Sequence, residues 1–177
     1  TDNAELVAKA DRIVLPGDGA FPSCREALDR FTGLFEAIDE AVTQRGTPFL
    51  GICIGMQMLA TWGREYRDTR GFGWIGGEVI RIDPGLDHLK VPHMGWNEVV
   101  QKPHALWRGI ADRSRFYFVH SYFVEPADPA LVTGSSEYGV PFTCAVGRDN
   151  IFAVQFHPEK SARDGLQLLK NFVEWHP

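Results

Sequence analysis

The chain has 177 residues, enough for one domain with a sizeable core and too short for two comfortable ones. Its 18 Lys and Arg against 23 Asp and Glu leave a formal charge of −5, with no basic block to form a footprint for nucleic acid or an anionic membrane. No apolar run approaches the roughly 18–20 residues of a membrane span, Thr1-Asp2-Asn3 is not a secretion signal, and the separated Cys24, Cys53 and Cys144 do not make a disulfide framework. The expectation is a soluble, cytoplasmic domain with reduced thiols.

In chain order, residues 4–10 read as a short helix and 11–15 as a strand that Pro16-Gly17-Asp18-Gly19 breaks. From Ser23 to Gln44 the apolar residues Ala27, Leu28, Phe31, Phe35, Ile38 and Val42 recur at helical spacing, with Gly33 dividing the stretch into two helices. Residues 48–52 are a continuous apolar run of strand length, as in a parallel sheet buried on both faces, and 54–62 return to helical spacing. This alternation predicts an α/β fold with an open, mostly parallel sheet. Runs rich in Val, Phe, Tyr and Thr at 77–82, 96–101, 115–124, 130–135, 141–147 and 150–156 predict an antiparallel portion in the second half. A closing helix is expected from Ser161, with Asp164 as its capping-box partner and Leu166, Leu169, Phe172 and Val173 as its apolar stripe. Residues 1–177 read as a single domain. A doubly wound sheet usually opens on a strand, so the initial helix and residue Thr1 suggest that an N-terminal strand-helix unit is absent from this chain.

Cys53 carries the strongest chemical signal. It stands in Gly51-Ile52-Cys53-Ile54-Gly55, after a predicted buried strand and before a predicted helix. This is the thiol form of a nucleophile elbow, where glycines two before and two after avoid collisions with the neighbouring strand and helix. Backbone N–H groups and the positive helix end favour thiolate there. A buried structural cysteine is the common fate of a free thiol, and it is the flanking glycines that favour the nucleophile. Cys24 and Cys144 lack such a setting and read as structural.

The base is expected at His157. It follows the strand pattern Phe152–Phe156, and residues i and i+2 of an extended segment share a side, so Glu159 can orient its imidazole. Pro158 between them restricts the geometry. An attacked acyl carbon develops an oxyanion, for which the candidate donors are the Ile54 N–H and the Gly17-Asp18-Gly19 loop. His88 and His93 have no Cys or Glu at zinc-site spacing, so no metal is expected. His120 reads either as a pocket residue or as a packed core histidine.

Pro48-Phe49-Leu50-Gly51-Ile52-Cys53-Ile54-Gly55-Met56-Gln57, with Phe156-His157-Pro158-Glu159-Lys160-Ser161, resembles the class I (triad) glutamine amidotransferase family. Leu15–Phe21, Val91–Asn97 and Tyr117–Tyr122 resemble those members that supply ammonia to a cyclase in histidine biosynthesis. The resemblance spans nearly the whole chain and implies a flavodoxin-like sheet flanked by helices. It also implies a Cys53–His157–Glu159 triad that hydrolyses L-glutamine to glutamate and ammonia. Gln57, the Gly17–Gly19 loop, Ser121 and Tyr122 are then the substrate-binding residues, and no cofactor is needed. The implied partner is a (β/α)8-barrel cyclase subunit in a heterodimer; no nucleic acid or membrane partner is implied, and Trp96 and Tyr117 read more readily as core packing than as docking aromatics. The other readings are a glutaminase serving another synthase such as anthranilate synthase, a thiol hydrolase without glutamine specificity, and a catalytically silent interaction subunit. Asp18 departs from the apolar residue expected there in many relatives, and its carboxylate is expected to point away from the oxyanion.

Overall fold

In the computed structural model, which describes residues 1–85 and 89–177, the chain runs through five α-helices and twelve strands. The first half comprises α1 (Ala4–Ala8), β1 (Ile13–Gly17), α2 (Phe21–Asp29), α3 (Leu34–Thr43), β2 (Phe49–Cys53) and the single turn α4 (Ile54–Gln57). Then come β3 (Trp62–Gly63), β4 (Thr69–Arg70), β5 (Glu78–Arg81), β6 (His93–Glu98), β7 (Val100–Gln101), β8 (Arg115–His120) and β9 (Tyr122–Glu125). The long hairpin β10 (Val132–Tyr138) and β11 (Val140–Arg148) leads to β12 (Ile151–Val154) and the closing helix α5 (Ala162–Glu174).

The main sheet has the order β1-β2-β12-β11-β10-β7. Its β1–β2 and β2–β12 pairs are parallel, and its β12–β11, β11–β10 and β10–β7 pairs are antiparallel. The α/β alternation of the first half and the antiparallel second half are therefore joined edge to edge in one sheet. A second sheet, β4-β3-β5-β9, and the pair β6–β8 pack beside it. Every residue of β2 and of β12 is buried, as their unbroken apolar runs require of central strands.

Local chemistry explains most element ends. Asn3 Oδ1 accepts from the Glu5 and Leu6 amides and starts α1. Gly33 separates α2 from α3 by adopting φ 75°, a left-handed conformation open to glycine at little cost. The helix expected over 54–62 is shorter: after α4 the chain must turn to reach β3, and the Leu59 and Ala60 amides close that turn on the Met56 and Gln57 carbonyls.

The closing helix also differs from expectation. Ser161 makes no cap with its side chain; its Oγ donates to the His157 carbonyl at 2.6 Å and accepts from the Tyr117 amide at 3.0 Å. The buried face of α5 is Gly165, Leu168, Asn171 and Phe172, while Leu166 and Val173 are more than 60% exposed. Two polar contacts decide that rotation, because Asn171 Nδ2 donates to the Leu106 and Arg108 carbonyls and so faces inward.

The tightest packing lies where β1, β2 and α4 meet. A Cβ at Gly55 would sit 1.8 Å from the Leu15 carbonyl oxygen, and one at Gly51 would sit 2.7 Å from the Gly55 carbonyl oxygen. Both obstacles are backbone and cannot swing aside. Gly55→Ala is expected to lower stability by at least about 3 kcal/mol, at the upper end for overpacked cores, as read from urea unfolding midpoints.

Candidate active site

The carboxyl ends of the parallel strands bring the expected residues to one edge of the sheet, where open α/β sheets place their ligands. Gly17 pairs with Cys53 across β1 and β2, and the segment after β12 continues alongside to His157. Cys53 adopts φ 56°, ψ −112°, an unusual conformation for a residue with a side chain and the signature of the elbow its glycines predict. It opens α4, but a single turn provides only a small dipole, so the expected help from a helix end reduces to the Ile54 backbone N–H.

Burial dominates the thiol. Cys53 is 5% exposed, and desolvation pushes its pKa up to about 12, with the charges of Asp18 and Glu159 acting in the same direction and the Ile54 backbone hydrogen bond opposing them. Burial thus favours the thiol form of Cys53 over the thiolate. His157 is buried, and its Nδ1 lies 2.8 Å from Glu159 Oε1, so a carboxylate that can only accept leaves the proton on Nδ1 and the lone pair on Nε2. That Nε2 is buried without a protein partner. The backbone around it is held in place: the His157 amide donates to the Tyr117 carbonyl at 2.9 Å, and the Phe156 ring stacks on Phe116 at 4.1 Å.

A cavity of about 170 Å³ opens over the thiol, lined by Asp18, Gly19, Cys53, Ile54, Gln57, Ser121 and Tyr122 among others. This is small beside the roughly 300–1,000 Å³ of drug-sized pockets and suits a single amino acid. Gly17 does not line it; Gly17 borders a separate cleft with Ile52, His157 and Glu159, so Cys53 and His157 line two different spaces, and Asp18 borders both. The Asp18 carboxylate turns back on its own loop, accepting from the Gly19 amide at 2.9 Å. It stays within electrostatic reach of Cys53, and it engages one of the amides expected to serve an oxyanion.

Sequence reasoning missed Glu65. Its side chain lines the same cavity while Oε2 accepts from the Phe21 amide at 2.8 Å, and it lies in the turn after β3, where no periodicity or spacing points to it. Ser161 and Gln155 were also missed as site residues. Cys24 is nearer the chemistry than expected, its thiol donating to the Asp18 carbonyl at 3.5 Å, whereas Cys144 is fully buried. His120 satisfies both of its readings: it lines the cavity and packs in a buried pair with His93. The Tyr122 carbonyl can only accept, so His120 carries its proton on Nδ1 (2.8 Å), and His93 Nδ1 then donates to His120 Nε2 at 2.9 Å. Desolvation lowers both pKa values, to about 4 for His93 and about 3 for His120. His88 lies outside the described residues, and among those described no group of three or more His, Cys, Asp or Glu is arranged to hold a metal ion.

A thiol on a strand-to-helix elbow and a carboxylate-oriented imidazole beyond the end of the next parallel strand are the parts needed for chemistry through a covalent thioester. The family model for class I glutamine amidotransferases matches residues 1–175, and the chain belongs to that family. It is 63% identical to the imidazole glycerol phosphate synthase subunit HisH of Dechloromonas aromatica, covering 100% of this chain and 83% of that protein. It is 57% identical to the subunit of the same name from Cereibacter sphaeroides, covering 100% and 84%. Among solved structures, a glutamine amidotransferase superposes with a TM-score of 0.72 at 16% identity, over 98% of this chain and 83% of that one. The glutaminase domain of Trypanosoma brucei CTPS with bound acivicin does so at 0.65 and 16% identity over 98% and 75%. At that identity the structural likeness speaks for the fold.

Two outcomes follow from the electrostatics. Peptide-resolved alkylation of Cys53 should accelerate about tenfold per pH unit from pH 7 to 9 without a plateau, as for a thiol whose pKa lies well above that range; Asp18→Asn should shift the profile to lower pH, and an unchanged profile would remove Asp18 from the electrostatics of the site. The His93–His120 pair binds protons less readily folded than unfolded, so its contribution is complete above the usual histidine value of about 6.5. That contribution is lost as pH falls from there toward about 4 and about 3. Thermal midpoints should therefore drop between pH 7 and 5, and His93→Gln should flatten the dependence.

Proposed function

We propose that this chain is the glutaminase subunit of imidazole glycerol phosphate synthase, hydrolysing L-glutamine through Cys53 and passing the ammonia to a cyclase subunit in histidine biosynthesis. The observation that carries the reading is the elbow cysteine with the His157–Glu159 pair at the adjacent strand end. The names of the relatives single out this synthase over anthranilate synthase.

In this mechanism His157 Nε2 takes the Cys53 proton as sulfur attacks the side-chain amide carbon of glutamine. The oxyanion is met first by the Ile54 N–H. The protonated imidazole then donates to the departing nitrogen, ammonia leaves, and a water activated by the same imidazole hydrolyses the thioester to glutamate. Glu159 keeps Nδ1 protonated throughout, and it stabilises the transient imidazolium. No step calls for a cofactor.

The cavity also suits the amino-acid end of glutamine. Gln57 Oε1 is buried without a protein partner, and Glu65 supplies a carboxylate, so both can accept from the α-ammonium group. The backbone of Ser121 and Tyr122 is the proposed seat of the α-carboxylate. The implied partner is a (β/α)8 cyclase. Met94 and Trp96 project outward from β6, 62% and 45% exposed, and Trp96 meets Tyr117 edge-on, which forms an aromatic and thioether patch for docking. No helix among the described residues is long and apolar enough to cross a membrane. A cytoplasmic location, where Cys53 stays reduced, belongs to the same proposal.

Glutamate release from L-glutamine, measured with the cyclase subunit and its nucleotide ligand present, tests the reading. Cys53→Ala should abolish turnover, His157→Asn should lower kcat by about 10³-fold or more, and Glu159→Gln by about 10–100-fold. Glu65→Gln should mainly raise KM, by about tenfold. Absence of turnover in the folded wild-type complex would favour the silent interaction subunit instead.

A further inference from the structure

Gln155 is fully buried immediately beyond β12, and the triad mechanism gives it no task. Burying a carboxamide is costly unless its polar atoms are matched, so the partners it has chosen are informative. Its Oε1 accepts from Gln57 Nε2 at 3.1 Å, and its Nε2 lies 3.6 Å from Cys53 Sγ.

The polarity of this chain of amides follows from one group. The Tyr122 carbonyl can only accept, and Gln57 Nε2 lies 3.1 Å from it, so the nitrogen of Gln57 must face Tyr122. The same nitrogen then faces Gln155, which must answer with its oxygen. That turns the Gln155 nitrogen toward sulfur and leaves Gln57 Oε1 as the unpartnered acceptor of a side chain that lines the cavity. Flipping either amide would set two donors or two acceptors against each other. His120 Nδ1 donates to the same Tyr122 carbonyl at 2.8 Å and fixes that oxygen in place.

Resting on the glutaminase reading, we propose that Gln155 serves the reaction at both ends: its Nε2–H donates to the Cys53 sulfur as negative charge forms there, and its Oε1 orients Gln57 toward the substrate. A buried thiolate needs such a donor. Desolvation works against ionisation of Cys53, as do Asp18 from the loop after β1, Cys24 from α2 and Glu159 beyond β12, while the Ile54 backbone opposes them. The remaining titratable groups lining the two spaces are His157, His120, Glu65, Tyr122 and Lys160. An N–H from Gln155 strengthens as the sulfur becomes anionic, which is when the reaction requires it.

Gln155→Met keeps the side chain's length and removes both donor and acceptor. Gln155→Glu as a carboxylate keeps the acceptor for Gln57 and removes the donor to sulfur. In the assembled complex, two readouts separate the roles: the pH profile of iodoacetamide labelling at Cys53, resolved by mass spectrometry, and kcat against KM for glutamine. Gln155→Met should shift the labelling profile upward by about one pH unit, lower kcat by about tenfold or more and raise KM severalfold. Gln155→Glu should shift the profile at least as far upward with a smaller rise in KM. A folded variant of either kind that keeps the native profile and KM, and differs only in thermal midpoint, would reduce Gln155 to core packing and overturn the proposal. The labelling readout needs no turnover, so a complex that fails to hydrolyse glutamine but still shows the shift would sink the glutaminase reading and not the Gln155–Cys53 contact.

Discussion

The site depends on one close approach, that of the β2–α4 turn to β1. At Gly55 the backbone of α4 comes so near the Leu15 carbonyl that a methyl group has no room, and at Gly51 the strand itself lies against the start of α4. With those side chains deleted the chain can bend sharply enough to hold Cys53 at positive φ. The strain is confined to one residue and is opposed by the parallel ladders on both sides of β2. The consequences follow in order. Gly17 is drawn into register with Cys53, the 17–19 loop is laid over the cleft, and Gln57, one turn further on, is set into the cavity wall.

The same closeness disfavours the ionised form of Cys53. A cysteine this well enclosed loses water that would solvate its thiolate, and nearby Asp18 and Glu159 add negative potential. The site answers with neutral donors and oriented dipoles. Gln57, Gln155 and the His120–His93 pair are linked through the Tyr122 carbonyl, and their neutrality avoids the cost of burying charge. Two of the site's carboxylates stay at its rim, where Glu159 is about half exposed and Asp18 is exposed, while the buried Glu65 is held by the Phe21 amide. A stack of Phe116 and Phe156 and the doubly bonded Ser161 hydroxyl hold His157 from the opposite side. The backbone of His157 is thereby fixed, and Glu159 sets the orientation of the imidazole.

Much of this was legible in the chain because the physics is local. An apolar run bounded by glycines marked β2, Gly33 marked the break between α2 and α3, and two glycines around a cysteine marked the elbow. The i, i+2 spacing across Pro158 announced the His157–Glu159 pair, which the structure closes to 2.8 Å. Each of these signals lies within about five residues, the range over which backbone sterics and strand geometry act.

Only tertiary structure decided the rest, because those contacts join residues far apart in sequence. Glu65 enters the cavity from a turn without pattern, and Gln155 reaches Gln57 and Cys53 across roughly a hundred residues. Ser161 has the residue type of a helix cap, yet its hydroxyl is taken by the nearby His157 carbonyl and by the Tyr117 amide, which only folding brings near. α5 is amphipathic by period, but Asn171 and its two carbonyl partners set which face turns inward and leave Leu166 outside. The chain by itself thus pointed to Cys53 as the candidate nucleophile and to His157 as its candidate base. How deeply the thiol is buried, which amides line its cleft and which way each one faces were settled by long-range packing, since burial and hydrogen-bond polarity are properties of the whole enclosure.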